Sequence, residues 1–237
     1  MMIRKLNPLA AAASVAALAF IAAFATPAQA VALVPDNFVA LPGTTAAAEP
    51  QLAGVVLEDD VQAFSFAAYG GTVSGTVQSR VVRSTLDGTL DFYWRVINDD
   101  KSAGAIQDLR LGDFIAPEYN ANWRIDGLGE QGPAVALLFA APPHDPGFIN
   151  FRFYEKSDTE TGAGLAPGES SNFILMDTSA KLYAKSATYD LTRFGQSQIS
   201  PQYATFAPAV PEPQTYALMA LGLLGIGVLA RRRSGAC

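Results

Sequence analysis

The sequence predicts an all-β chain: an exported antiparallel β-sandwich domain, preceded by an N-terminal signal peptide and followed by a single C-terminal transmembrane helix. Three observations predict it. Short runs of alternating apolar and polar residues follow one another from Leu52 to about Asp190. Gly, Pro and Asp turn residues separate those runs, and no stretch between them has helical periodicity. One uncharged apolar segment stands at each end of the chain.

The first 30 residues read MMIRKLNPLAAAASVAALAFIAAFATPAQA. Arg4 and Lys5 precede an apolar run from Leu9 to Phe24, and Ala28-Gln29-Ala30 supplies the small-x-small site that signal peptidase accepts. Residues 1–30 are therefore expected to be removed, leaving a mature chain that starts at about Val31. Residues 31–50 carry Pro35, Pro42 and Pro50 and no sustained period, which predicts an extended arm or linker.

The β-sandwich domain is expected over residues 51–208. In VQAFSFAAY, Phe64 and Phe66 share a face, and TVSGTVQSRVVR sets Val73, Val77 and Val81 against Ser74, Thr76, Gln78 and Arg80. The run TLDFYWRVIN is the clearest strand: Leu90, Phe92, Trp94 and Val96 face one way, with Asp91, Tyr93 and Arg95 opposite. Asp87-Gly88 before it is a favoured hairpin turn, because both residues tolerate positive φ. AIQDLRLGDF, the continuous apolar run AVALLFA, GFINFRFYE, SNFILMDT and AKLYAKSATYDL complete seven to nine expected strands, with Pro167-Gly168 turning into SNFILMDT.

About 180 residues remain without the two ends, enough for one domain that stabilises itself by burial. Five of the 16 basic residues and one of the 22 acidic ones lie in the ends, so residues 31–209 carry 11 basic and 21 acidic groups, a net −10. Such a surface repels phosphates and excludes nucleic acid as a partner. The only cysteine, Cys237, is the last residue, so the domain has neither disulfide nor thiol chemistry.

Residues 209–237 are of a different kind. Val210-Pro211-Glu212-Pro213 is followed by an uncharged apolar stretch, a transmembrane helix expected at about 214–230, and then by Arg231, Arg232 and Arg233. A cationic cluster directly after the span leaves the C-terminus on the cytoplasmic side. In this order and spacing the three parts resemble the PEP-CTERM sorting signal of Gram-negative bacteria. The resemblance implies that exosortase, a membrane transpeptidase-like enzyme, recognises Val210, Pro211, Glu212 and Pro213, with the arginines as stop and orientation signal. Implied partners are thus signal peptidase at Ala28 and Ala30, exosortase, the inner membrane transiently, and exopolysaccharide or other matrix components. Implied destinations are the cell envelope, the surface or the extracellular matrix. More loosely, residues 73–190, with SGTVQSRVVR…GTLDFYWRVIN and GLAPGESSNFILMDTSA, are similar to the exported domains often joined to this tail, which supports the architecture and implies no activity.

Chemistry has few candidates. The single histidine, His144, stands among Pro142, Pro143 and Pro146 without a nucleophile elbow, so no enzyme activity and no catalytic residue is expected. Zinc lacks ligands, and no cofactor is expected beyond weak calcium binding at Glu58–Asp60, Asn98–Asp100 or Ser157–Gly164, where solvated turns are the alternative. Tyr93, Tyr119, Trp123 and Tyr154 are candidate stacking platforms for a sugar ring. The richest loop, PEYNANWRIDG, offers Tyr119, Asn122, Trp123 and Arg124 as a ligand-binding set; alternatively, Trp123 plugs the edge of the core. The expected role is a non-catalytic structural or interaction protein of the surface or matrix, with a carbohydrate-binding module as the alternative and a hydrolase behind both.

Overall fold

A computed structural model of the chain describes residues 29–68, 70–139, 147–154, 164–193 and 200–209, together with Leu221. Twelve strands form among the described residues: β1 (Val31–Ala32), β2 (Phe38–Ala40), β3 (Gly54–Ala68), β4 (Gly71–Ser84), β5 (Leu90–Asn98), β6 (Asp108–Gly112), β7 (Asn120–Trp123), β8 (Val135–Phe139), β9 (Phe148–Arg152), β10 (Ile174–Asp177), β11 (Tyr183–Thr192) and β12 (Tyr203–Pro208). They pair antiparallel into two six-stranded sheets, ordered β1-β7-β10-β5-β4-β3 and β12-β11-β6-β9-β8-β2.

The alternation in the sequence decides which face of each strand is buried. Val73, Val77 and Val81 of β4 and Leu90, Phe92 and Val96 of β5 have no exposed surface. They meet Leu109, Leu111, Ile149, Phe151 and Leu191 of the other sheet in one hydrophobic core. Trp94 stands at its centre, packing edge to face on Phe114 at 5.6 Å, while its indole N–H donates to Thr205 Oγ1 of β12 at 2.7 Å. Thr205 donates in turn to Ser79 Oγ of β4 at 3.2 Å. A buried indole N–H needs such a partner, and this one ties the two sheets together.

Three features differ from the expected layout. Residues 31–50, expected as an arm or linker, lie along both sheets: β1 pairs with β7 and β2 with β8, so the segment supplies an edge strand to each. AVALLFA alternates instead of being buried throughout, because β8 buries Ala136 and Leu138 and leaves Phe139 exposed, stacked on Phe148 at 5.0 Å. On β5 the face opposite the core is buried as well, since the 3-10 turn Pro50–Leu52 folds over it and forms a second small cluster of Leu52, Val82, Tyr93, Phe173 and Leu175.

No helix of the described residues is long and apolar enough to cross a membrane. The span expected at about 214–230 falls outside the described residues except for Leu221, as do Ala28, the motif Val210 to Pro213, Arg231 to Arg233, and His144.

Candidate functional site

Tyr119, Asn122, Trp123 and Arg124 come together on and beside β7, which is a strand between β1 and β10 and not a loop. The four do not present one open surface. Asn122 is fully buried; its Oδ1 accepts from the amides of Gly43 at 2.8 Å and Trp123 at 3.0 Å, and its Nδ2 donates to the Gln29 carbonyl at 3.0 Å. Trp123 is half-buried against the core and donates its indole N–H to the Leu41 carbonyl at 3.0 Å. Gly132 lies so close to the indole that a Cβ there would fall 2.1 Å from the ring. Tyr119 packs on the core and accepts the Leu33 amide with its carbonyl. Arg124 makes a fork to Asp126 at 2.6 and 3.0 Å and reaches the Leu52 carbonyl at 3.3 Å. The arginine holds the Asp126 carboxyl below its usual range. All four residues thus tie the segment from Gln29 to Leu52 onto the domain.

The acidic stretches described are likewise engaged by the chain itself. Glu58 accepts from Tyr183 Oη at 2.8 Å, Asp59 pairs with Arg80 at 2.7 Å, and Asp60 pairs with Lys185 at 2.6 Å. Asn98 donates to the carbonyls of Gly104 and Leu165, and Asp99 accepts from Ser74 Oγ at 2.8 Å. Of Ser157–Gly164, only Gly164 is among the described residues. Among the described residues no group of three or more His, Cys, Asp or Glu side chains is placed to hold a metal ion.

Two concavities flank the Pro50–Leu52 turn. One, of about 310 Å³, is lined by Leu52, Val56, Arg80, Tyr93, Leu128 and Phe173 among others. Its cations are already used: Arg80 pairs with Asp59 and lies 4.7 Å above the Phe173 ring, and Arg124 pairs with Asp126. The other, of about 380 Å³, is polar, with Gln51, Asp87, Glu118, Asn120 and Asp177 in its wall.

Beside this second concavity lies a group that strand alternation did not single out. Asp91 of β5 stands directly opposite Asp177 of β10 in the sheet register. Asp91 has no exposed surface, and neither of its carboxylate oxygens has a hydrogen-bonding partner of good geometry. Burial, and then the neighbouring Asp177 and Asp87, push its carboxyl up to about 8, and burial also raises Asp177. Glu49, only 2% exposed, completes the group through its neighbour Gln51. The visible signal in the sequence was an aspartate in each of two apolar strands, LDFYW and ILMD; their juxtaposition depends on β5 and β10 being neighbours.

The C-terminal tail is read from its sequence. Residues 209–233 match the family model of the PEP-CTERM protein-sorting motif. This chain carries a PEP-CTERM tail. No curated protein and no solved structure matches the chain. The PEP-CTERM motif identifies the kind of traffic involved, an exported protein processed by exosortase at the envelope or surface.

Proposed function

We propose that the chain is a non-catalytic structural or interaction protein of the cell surface or exopolysaccharide matrix, delivered by its PEP-CTERM tail. Signal peptidase releases the leader after Ala30. An apolar helix at about 214–230 then holds the precursor in the inner membrane, with Arg231, Arg232 and Arg233 on the cytoplasmic side, until exosortase acts near Pro211-Glu212-Pro213. The match of residues 209–233 to the sorting motif carries this reading. The engagement of Asn122, Trp123 and Arg124 with backbone groups favours this reading over a carbohydrate-binding module, because it leaves them to hold the fold.

Mass spectrometry of both ends of the exported protein tests the route. An N-terminus at Val31 and a C-terminus near Pro213 are expected; a cytosolic product with Met1 and Cys237 both attached would overturn it. Deleting the gene is expected to alter biofilm or matrix cohesion. Glycan binding that disappears in a folded Trp123→Ala protein would put the carbohydrate reading in its place.

A further inference from the structure

Gln29 and Ala30, on the leader side of the expected cut, lie against the folded domain. Gln29 is held through its carbonyl by Asn122, and the Ala30 amide donates to Glu49 Oε1 at 2.7 Å. Ala30 also packs on the cluster of Leu52, Val82, Tyr93, Phe173 and Leu175. Glu49 is 2% exposed; among the described residues its carboxylate accepts, besides the Ala30 amide, only from the neutral amide of Gln51 at 3.3 Å, and its Oε2 has no partner. No ion pair among the described residues reaches Glu49, Asp91 or Asp177. Buried carboxylates without a counter-charge are costly, and proteins almost always pair them. The three are not disposed to grip a metal ion.

We propose that Glu49, with Asp177 beyond it, is a binding site for a primary ammonium group, and that its occupant is the α-amino group created when the leader is cut off at Val31. This inference rests on the processing reading above. Cleavage replaces a neutral amide donor by a cation, one residue step of about 3.8 Å along the chain from Ala30. Val31 itself is held in register with Ala121 of β7, which keeps the new amine within one residue of the position the Ala30 amide occupies. The ion pair then pins β1 at the edge of its sheet, in place of the Gln29 and Ala30 contacts that leave with the leader.

The test uses protein exported from the full-length gene. Its N-terminus is read by mass spectrometry, and the folded protein is pulsed at neutral pH with a trace of acetic anhydride, in parallel with the same protein in concentrated urea. Exposed Lys101 serves as internal reference. The Val31 amine is expected to react at least about tenfold more slowly in the folded protein, because one unit of upward pKa shift removes nine-tenths of the reactive free base. Glu49→Gln is expected to restore most of that reactivity, and if this variant does not fold, Asp177→Asn is read for a smaller gain in the same direction. A chain starting at Val31 whose amine labels at the urea rate, or stays protected in folded Glu49→Gln, overturns the proposal alone. A chain starting at Met1 overturns the processing reading and the proposal with it. Calcium that raises the wild-type melting temperature but not that of Asp177→Asn would put a metal ion there instead.

Discussion

Asp91 is the residue at which this fold departs furthest from its local sequence rules. Its carboxyl is buried under the Pro50–Leu52 turn and faces Asp177 of β10 and Asp87 of the preceding turn, with Glu49, Tyr93 and Thr178 around them. The folded state holds the Asp91 proton up to about pH 8, whereas an unfolded aspartate releases it near 3.8. Below about pH 4 both states are protonated and the contribution is fully present; it is lost as pH rises toward 8, with a slope of up to about 1.4 kcal/mol per pH unit. Urea midpoints measured between pH 5 and pH 8 should therefore fall with pH, and Asp91→Asn should flatten that fall. A second prediction concerns Trp94. Trp94→Phe keeps an aromatic ring in the core but leaves Thr205 Oγ1 without its donor, at a cost of about 1–3 kcal/mol in chemical unfolding.

At the scale of elements, the segment from Gln29 to Leu52 is fastened by β7 and by the short stretch before β8, where the Ala134 carbonyl accepts from the Leu41 amide. Trp123 fits there because Gly132 has no side chain, and Gly132→Ala would drive a methyl group into the indole. The expected loss is about 1–3 kcal/mol, or a melting temperature lower by several degrees for a domain of this size. Gly127→Ala, whose Cβ would find its nearest neighbour at 3.5 Å, is the matched control and should change little in the same calorimetric scan. Long strands were legible in advance because alternation needs several residues to declare itself: β4 and β5 bury Val73, Val77, Val81, Leu90, Phe92 and Trp94 as their sequences predict. The two- and three-residue strands β1 and β2 are too short to carry a period, so a stretch broken by three prolines reads as a linker although it borders both sheets.

At the scale of the whole molecule, the tail and the domain have separate jobs. A stop codon after Ala209 should change the protein's destination, read by fractionation, and leave the melting temperature of the exported domain unchanged, because the last strand ends at Pro208. With Cys237 as the only cysteine, that temperature should also be the same with and without a thiol reductant.

The sequence by itself determined the PEP-CTERM tail and the all-β class, since a sorting motif is read as a linear string and strand periodicity is a local property of the chain. Tertiary structure alone decided that Trp123 is wedged against Gly132, that Tyr93 is covered, and that Glu49, Asp91 and Asp177 share one corner. Those outcomes depend on which strands become neighbours and on what folds over their outer faces, and such contacts join residues far apart in the chain, where no local pattern reports them.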